Sequence, residues 1–437
     1  MNHQQLKERA LCIAKPPKNF QLMFEEVDAQ PGGESLFIWG DDQETIKVQL
    51  DDAGTITSYF ISKEGYKVSV GDEISLEERR QRAEQFLLKY YPNALTDFIF
   101  YKVESIDDIE QFYYGQLVMD LPLANAGIMV GLDKAGNLIE LMYMGKLPEP
   151  EIPHKLVDTT ALYENAKRHI RMRLVIAKIA GQLRLIYELD NVYPVYQADI
   201  LEPVINEQRS TIRYRALPPL VATTTSSLEE ILGINSEMQI INATIYNNVK
   251  RIVWAKEKVS GLYEDNVHAR IDMNTGRLLN MTNFKAYQGD LQLSDEEALQ
   301  KASAFLQLAV PEIYPYLQLE IDENRQPARF TFRIRTVQNI NTHFMVTVIV
   351  NYSTGDVESF HCGRIDLEQL QQVSSIPVIS AQQAKDIFLA HLDFRLAWGM
   401  GNEMGSSILW YDYYDKITGN RLGYIDAIDG TVITFQD

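Results

Sequence analysis

The chain contains an internal duplication, in which the first half matches the second after a shift of about 220 residues. The clearest segment runs from Ser75 to Pro92 and matches the segment from Ser294 to Pro311, at an offset of 219 (294 − 75). Eight of the 18 aligned positions are identical. A duplicated unit must bury its own apolar faces or stack them on a copy, so this feature predicts two homologous halves.

Composition and charge limit the classes of function. The 437 residues carry a formal net charge of −19, with a pI near 4.9, which argues against binding to nucleic acid or to anionic lipid. The two cysteines, Cys12 and Cys362, indicate neither a disulfide framework nor a zinc cluster. The first residues lack the apolar region of a signal peptide, and no apolar run is long enough for a membrane span. We therefore expect a cytoplasmic protein without a membrane span, although an exported mature form would look the same.

A strand–turn–strand pattern occurs five times, and in each case an Asp or Asn precedes a glycine by three or four residues. Glycine allows the positive φ that a tight turn needs, and the Asp or Asn side chain can accept hydrogen bonds from the turn amides. The pattern therefore predicts five hairpins. Their turns run from Asp51 to Gly54, Asp133 to Gly136, Asp272 to Gly276, Asn351 to Gly355 and Asp426 to Gly430.

The spacing of these glycines sets a shorter repeat of about 75 residues. Successive glycines are 82 (136 − 54), 140 (276 − 136), 79 (355 − 276) and 75 (430 − 355) residues apart. Because 140 is close to two short periods, one module has lost its glycine. It is predicted near residues 155–220, where the segment that begins at Val192 has strand composition but no glycine turn.

Capped amphipathic helices precede the hairpins. Ser75 with Glu78, and Ser294 with Glu297, form capping boxes that are followed by apolar residues at helical spacing. We therefore predict an α+β fold, a tandem repeat of helix plus antiparallel-sheet units in two homologous halves of three modules each. The first half is residues 1–220, with modules at about 1–72, 73–152 and 153–220; the second is 221–437, with modules at about 221–290, 291–376 and 377–437; a proline- and threonine-rich linker lies at about 217–226.

This pattern of a capped helix, strands and a final Asp–Gly hairpin resembles the PepSY-like repeats of the YcdB/YcdC type, which occur in Bacillus-related bacteria. The resemblance covers most of the chain, and the segments Ser75 to Gly136 and Ser294 to Gly355 carry it most clearly. It implies a non-catalytic protein with a role in binding or restraining peptidases. Many members of the group are exported or anchored in a membrane.

Two histidine–arginine pairs occupy matching positions. His169 and Arg173 correspond to His391 and Arg395 at an offset of 222 (391 − 169). Helices predicted over 159–178 and 381–397 would place each arginine one turn after its histidine on the same helix face. One interpretation is a duplicated polar or anion-binding site, and the alternative is a packed helix position kept through the duplication. Shorter helices are predicted over 4–14 and 227–233.

Other motifs that can carry chemistry fit structural roles better. His361 and Cys362 are neighbours on a predicted strand and so point to opposite faces. The glycine-rich segment from Gly399 to Gly405 is predicted to follow a helix and precede a strand, which reverses the order of a dinucleotide-binding loop. Asp426 and Asp429 offer too few oxygens for calcium. The sequence thus predicts no catalytic residue, no cofactor-binding residue, no metal ligand and no cofactor.

Two aromatic-dense strands, Trp410 to Asp415 and Phe112 to Gly115, are candidates for contact with a partner, although the same pattern fits a sheet with one face in the core. A repeat array without a catalytic constellation favours a non-catalytic interaction protein that binds a protein or peptide partner, as a modulator of a peptidase. The alternatives are a hydrolase with a site between the two halves and a structural or assembly role. The sequence does not fix the oligomeric state.

Overall fold

The computed structural model of the protein describes most of the chain. The residues outside this description are 29, 31, 42–43, 64–72, 107, 191–193, 205–212, 221–226, 247, 258–262, 285–288, 322–327, 337, 402–405 and 436–437. The described strands form two sheets whose pairings are mostly antiparallel, and β9 and β19 make a short parallel contact at Asn341 and Thr342. The predicted α+β fold class is confirmed at this level.

The elements follow one another along the chain as helices and groups of strands. The helices are α1 His3–Ala14, α2 Leu76–Tyr90, α3 Ala94–Asp97, α4 Thr159–His169, α5 Leu228–Ile231, α6 Asp295–Ala309, α7 Leu367–Gln372 and α8 Ala381–His391, with a 3-10 turn at Tyr314–Tyr316. The first twelve strands are β1 Gln21–Glu26, β2 Glu34–Gly40, β3 Glu44–Asp51, β4 Ile56–Lys63, β5 Ile99–Ile106, β6 Ile109–Val118, β7 Leu121–Asp133, β8 Leu138–Gly145, β9 Met172–Ile179, β10 Gln182–Leu189, β11 Tyr196–Gln197 and β12 Arg213–Ala216. The others are β13 Met238–Tyr246, β14 Val249–Glu257, β15 Tyr263–Asp272, β16 Leu278–Phe284, β17 Leu317–Ile321, β18 Arg329–Arg335, β19 Asn341–Val350, β20 Val357–His361, β21 Leu392–Met400, β22 Ser407–Asp415, β23 Arg421–Asp426 and β24 Val432–Phe435.

Both predicted capping boxes are present. The Ser75 hydroxyl accepts a hydrogen bond from the Glu78 amide at 3.2 Å, and the Ser75 amide donates to the Glu78 carboxylate at 2.9 Å. Ser294 and Glu297 make the same reciprocal pair at the start of α6. At each helix start, two backbone N–H groups that have no acceptor within the helix are hydrogen-bonded in this way. Such a cap stabilises the fold by about 1 kcal/mol relative to alanine at the same position.

The first sheet has eight strands in the order β1-β2-β3-β4-β8-β7-β6-β5. One of its faces packs against α1 and α2, which contribute Leu6 and Leu87, both fully buried. Strand β3 shows the alternation that this packing requires, because Val48 and Leu50 are fully buried while the intervening Gln49 is half-buried. Burial of side chains of this size stabilises the fold by about 1.5–3 kcal/mol each, so the helix side of the sheet is its core side.

The second sheet has sixteen strands, and β13 to β20 repeat the arrangement of the first sheet. Their order is β13-β14-β15-β16-β20-β19-β18-β17, and β16 pairs with β20 as β4 pairs with β8. Helix α6 covers one face, where the Phe305 ring lies edge-on to Phe360 at 5.3 Å. Strand β9 joins β19 through the short parallel pairing, and β10 pairs with β23.

All five predicted turns place their glycine at positive φ, between 70° and 84°. In each, the glycine amide donates to the carbonyl of the preceding Asp or Asn. A sixth turn of the same type, from Asp415 to Gly419, was not among those predicted; Gly419 has a φ of 76° and donates to the Asp415 carbonyl at 2.7 Å. It joins β22 to β23, and the pattern of an Asp four residues before a glycine was present in the sequence.

The residues cluster into two compact units. One contains residues 1–156, 197–200 and 396–411, and the other contains 157–196, 201–395 and 412–437. The division into halves at 217–226 stays a prediction, and residues 221–226 of that linker lie outside the described part of the chain. In the part that the structure describes, no helix has the length and apolar character needed to cross a membrane.

Candidate functional site

The side chains of the turn aspartates are used within the turns themselves. Asp272 Oδ1 accepts from the Asn274 amide at 2.9 Å, and Asp426 Oδ1 accepts from the Ile428 amide at 2.8 Å. These are the local hydrogen bonds that the sequence pattern predicts. Each carboxylate therefore has a structural role. In the described residues, no group of three or more His, Cys, Asp or Glu side chains is placed to hold a metal ion.

The first predicted helix with a histidine–arginine pair ends earlier than predicted. Helix α4 ends at His169, and Arg173 lies on strand β9. Arg173 donates to the Glu188 carboxylate on β10, with Nε and Nη2 at 2.8 and 2.6 Å from Oε1. The prediction that His169 and Arg173 share a helix face is therefore wrong, because the chain changes to strand between them.

The second pair has the same backbone arrangement but different contacts. Helix α8 ends at His391, and Arg395 lies on β21. His391 Nδ1 is 2.9 Å from Asp415 Oδ1, and Arg395 Nη1 donates to the Gly419 carbonyl at 2.9 Å. Burial acts to raise the pKa of Asp415, but the hydrogen bonds from Thr418, His391 and the turn amides outweigh it and hold the pKa at about 2. His391 and Arg395 thus secure one hairpin turn, so the interpretation as a duplicated site does not fit their contacts.

An ion-pair network that the sequence did not reveal lies on β9, β10 and β19. Glu188, which is 9% exposed, bonds Arg173 through one carboxylate oxygen and His343 Nε2 through the other, at 2.8 Å. Burial acts to raise the pKa of Glu188, yet the hydrogen bond with His343 and the Arg173 charge bring it below its ordinary value. His343 also lies edge-on to the Tyr424 ring at 5.7 Å. A catalytic triad needs a hydroxyl or thiol on the imidazole, and these contacts instead give the histidine a paired carboxylate and a ring.

The thiol beside a histidine is buried. Cys362 is fully buried directly after β20, and burial raises the pKa of its thiol to about 12. His361, the last residue of β20, is exposed. A thiol with so high a pKa is a poor nucleophile at neutral pH.

The glycine-rich segment follows a strand and not a helix. Gly399 and Met400 end β21, since α8 stops at His391, and β22 begins at Ser407. The prediction of a preceding helix is wrong, although a strand does follow the segment as predicted. Residues 402–405 of this segment, and residues 192–193 of the module without a glycine turn, lie outside the described part of the chain.

The aromatic strands divide their side chains between two faces. Phe112 and Tyr114 are buried on β6, whereas Tyr113 is half-buried and its hydroxyl donates to Gln111 Oε1 at 2.6 Å. Tyr411 and Tyr413 are likewise buried on β22, between half-buried neighbours. Most of this aromatic area therefore belongs to the core.

The face of the first sheet away from the helices, which we call the first open face, is crossed by two rows of side chains. Because neighbouring residues on a strand point to opposite faces, these rows alternate with the residues that pack against the helices. On β7, two members of the rows, Met129 and Gly131, are themselves buried. One row is Phe24, Ile38, Lys47, Phe60, Glu140, Gly131, Gln111 and Glu104, and the next is Glu26, Leu36, Gln49, Ser58, Met142, Met129, Tyr113 and Lys102.

Apolar side chains are exposed on the first open face. Phe24, Phe60 and Met142 are 45%, 42% and 50% exposed. Phe60 pairs with Glu140, so Met142 is its diagonal neighbour on β8, at about 7–8 Å between Cα atoms. Large apolar side chains that lie together in water mark interaction surfaces more often than isolated ones do.

The corresponding surface of β13 to β20, which we call the second open face, is more basic. One row is Thr244, Arg251, Arg270, Asn280, His361, Thr347 and Thr331, and the next is Asn242, Val253, His268, Thr282, Ser359, Ile349 and Arg329. Arg251 and Arg270 are directly opposite each other and both are exposed. Among the described residues, neither guanidinium has a carboxylate partner.

A pocket of about 650 Å³ lies where β15 ends in the Asp272 turn. Lys178, Arg277 and Arg364 contribute to its lining. Arg364 Nε is 3.5 Å from Asp272 Oδ2, and Arg277 Nη1 donates to the Ile365 carbonyl at 2.6 Å. Asp272, Asp366 and Glu368 also line the pocket, so basic and acidic side chains occur there in equal number.

The chain is similar to known proteins. A family model described as the YcdB, YcdC repeated domain matches residues 3–145 and 223–364, and each matched stretch ends with the strands that complete one eight-strand arrangement. The Bacillus subtilis (strain 168) protein named "Uncharacterized protein YcdC" is 25% identical over 465 residues, with 98% of each chain covered. "Uncharacterized protein YcdB" of the same strain is 23% identical over 433 residues, with 90% of each covered. The solved Bacillus megaterium YpeB C-terminal domain is 19% identical, covers 48% of this chain and 94% of its own, and has a TM-score of 0.28.

Proposed function

The chain belongs to the YcdB, YcdC repeated domain family, and on that premise we propose that it is a non-catalytic binding protein that docks a protein partner on its first open face. The observation that carries this proposal is the cluster of exposed apolar side chains opposite the helices. Phe60 and Met142 are diagonal neighbours, and Phe24 lies three strands away in the same row as Phe60. A partner that covers them removes apolar area from water, at about 25 cal/mol per Å².

The occupant that fits this surface is a folded or extended protein segment with its own apolar side chains. The face is broad, and it mixes aromatic and methionine side chains with single charges such as Lys47 and Glu140. Methionine adapts its shape to a partner surface, and aromatic residues give large contact area for little lost entropy. In the family context, a peptidase that the protein restrains is the partner class that we propose.

The two open faces differ where their cores agree. Gln49 and Arg270 both stand two residues before the aspartate of a hairpin turn. Their cross-strand partners are Leu36 and Arg251, which therefore occupy corresponding positions in the two sheets. On the helix side the matching pairs, Phe37 with Val48 and Ile252 with Ala269, are all apolar and buried. A binding array is expected to vary the residues of one face in this way, since the core face must stay apolar in every copy.

The organisation of the chain into halves and modules is part of the same proposal. We propose two homologous halves of three modules each, in which residues 153–220 and 377–437 are the third modules. Helices α4 and α8 each end at a histidine and continue into a strand, which supports a common origin for these two modules. Superposition of an experimental structure of residues 1–220 on 221–437 would test it.

Site-specific photo-crosslinking tests the binding function. A photoreactive phenylalanine analogue replaces Phe60 in the full chain, which is expressed in its native host and irradiated. We expect a discrete protein adduct, because the ring at this position is exposed on the proposed contact surface. The captured protein is then purified and its affinity for the full chain is measured. The double variant F60S/M142S is expected to weaken this binding about tenfold or more, since interface anchors of this kind contribute at least about 1–2 kcal/mol.

The matched control is Ile245 on β13, which is 60% exposed and lies outside the first open face. The analogue at position 245 should give no such adduct, and Ile245→Ser should leave the affinity unchanged. Identical adducts from positions 60 and 245, or none from position 60 in repeated experiments, would show that the first open face is not a docking surface.

A further inference from the structure

The second open face carries a concentration of positive charge that a chain of net charge −19 does not need for solubility. Arg251 on β14 and Arg270 on β15 are cross-strand partners, and His361 lies two strands further along the same row. We infer that the Arg251–Arg270 pair is a docking site for an acidic polypeptide segment, one rich in Asp and Glu. This inference names a second partner chemistry for the proposed binding function and uses a different sheet face.

The geometry of the pair favours a ligand between the two side chains. Directly opposite residues of an antiparallel pair have Cβ atoms about 4.5–5.5 Å apart, and like charges at that distance destabilise a sheet. Both side chains are exposed, and neither has a carboxylate partner among the described residues. Other arginines of this sheet are paired, as Arg333 is with Glu320 at 2.8 Å. A carboxylate held by both guanidinium groups would remove the repulsion and gain hydrogen bonds in bidentate geometry.

The surroundings indicate a polypeptide rather than a small anion. Both arginines are exposed on the surface of the sheet in the part of the chain that the structure describes, as an extended segment laid across the strands requires. The pocket beside Asp272, two residues after Arg270, holds Asp366 and Glu368 as well as Lys178 and Arg364, so it adds no net positive charge. Lys178 is exposed and, within the described residues, has no carboxylate partner. The site that we infer is therefore the arginine pair on the surface of the sheet, which an extended segment can cross.

Charge complementarity also distinguishes the partner from nucleic acid. The chain as a whole is strongly acidic, so it repels any polyanion, and the repulsion is greater for a strand with one charge per phosphate. An acidic peptide with interspersed neutral residues carries fewer charges per unit length and can place single carboxylates on the arginines. The pair of arginines and the row beside it match such a segment.

Fluorescence anisotropy with the full chain tests the inference. The probe is a labelled twelve-residue peptide of alternating Glu and Ser, and the comparison probe is a single-stranded oligonucleotide of equal charge. We expect the peptide to bind at 50 mM salt, to weaken several-fold at 200 mM salt, and to lose at least tenfold in affinity in the double variant R251Q/R270Q. The charge-matched control R215Q/R421Q removes two exposed arginines that pair with Glu296 and Asp412, and it should change affinity by less than twofold.

Three results would each overturn the inference. They are equal losses of peptide affinity in both double variants, no peptide binding to the wild-type chain at 50 mM salt, and tighter binding of the oligonucleotide than of the peptide. Stability provides a second measurement: R251Q alone should raise the melting temperature, because it removes the repulsion within the pair, and a fall would contradict the unpaired state of the arginines. F60S/M142S should bind the acidic peptide as the wild type does, and R251Q/R270Q should keep the adduct at position 60. Failure of one surface is thereby distinguishable from failure of the other.

Discussion

Replacement of Asp415 by Asn tests the turn that joins β22 to β23. The carboxylate is 2% exposed and accepts hydrogen bonds from the Thr418 hydroxyl at 2.7 Å and the Ile417 amide at 3.2 Å, and it contacts His391 Nδ1 at 2.9 Å. Asparagine has the same shape and retains an oxygen for the turn amides. In the turn between β19 and β20, Asn351 serves that role, since its Oδ1 accepts from the Ser353 amide at 2.8 Å. The substitution therefore removes the charge while preserving the turn.

The expected loss follows from the pKa of Asp415. The pKa is about 2 in the folded protein against an ordinary value of 3.8, which corresponds to about 2.5 kcal/mol of stability at neutral pH. Asparagine keeps an oxygen that can accept from the turn amides, so part of this stabilisation is retained and we reduce the figure to about 1–1.5 kcal/mol. Asp415→Ala, which also leaves the turn amides without an acceptor, is expected to cost about 3 kcal/mol.

The pH dependence has a defined sign. A carboxyl whose pKa is lowered on folding stabilises the protein fully above its unfolded pKa, and that stabilisation disappears as the pH falls through the folded pKa. The difference between wild type and Asp415→Asn should therefore be constant near pH 6 and decrease by about half at pH 3. Urea unfolding followed by tryptophan fluorescence measures this difference, and Trp410 lies on β22, the strand that leads into the turn.

Asn351→Asp is the reciprocal control. Asn351 Nδ2 donates to Glu358 Oε1 at 2.6 Å, so an aspartate there would bring two carboxylates together. Its destabilisation should be largest at neutral pH and should diminish at low pH as one carboxylate becomes protonated. If Asp415→Asn is as stable as wild type at pH 6, or if its deficit grows toward pH 3, then the hydrogen bonds to Asp415 do not favour the charged form and the reasoning is wrong.

Two further predictions concern a pair of turns and the two thiols. Gly355→Ala should lower the stability by about 1 kcal/mol from positive φ alone, because the new Cβ would meet its nearest atom at an ordinary contact distance of 3.5 Å. Gly136→Ala should lower it by about 2 kcal/mol, since its Cβ would lie 2.6 Å from Ile74 Cδ1. Urea unfolding midpoints of the two variants measure these losses, and equal losses would contradict the steric account. Cys12 is exposed and should react with a thiol reagent in the native protein, whereas buried Cys362 should react only after unfolding, so two fast thiols in native conditions would contradict its burial.

Local chemistry explains which parts of the fold could be predicted from the sequence. The capping boxes at Ser75 and Ser294 and the positive φ of Gly276 depend on residues a few positions apart, and they are present as predicted. The sequence predicts later ends for α4 and α8 than the structure has, because the segments after them fit two periodicities. Leu392 and Phe394 continue an apolar helix stripe, but they also alternate with polar residues as a strand requires, and the structure buries both on β21.

The candidate surfaces could not be predicted because they depend on pairing between distant segments. Arg251 and Arg270 become neighbours only through the register of β14 with β15. Register shifts occur in the pairings of β13 with β14, of β14 with β15 and of β15 with β16. Glu188 and His343 are 155 residues apart and meet because β9 lies beside β19. The positions of the histidines and arginines can be read from the sequence, but the register in which their strands pair cannot.

The comparison of the two open faces points to the place where the repeats differ in function. Phe37 and Ile252 stand at matching positions on the helix side and are buried apolar residues in both sheets, since a charge there would lie in the core. Their neighbours Leu36 and Arg251 stand on the helix-free side, where the fold tolerates either residue, and an unpaired arginine opposite Arg270 costs stability without improving the core. The acidic partner that we propose would account for a residue pair that weakens its own sheet in a chain with an excess of acidic groups. For the first sheet, which carries Met142 at the position of His361, the partner that we propose is apolar for the same reason.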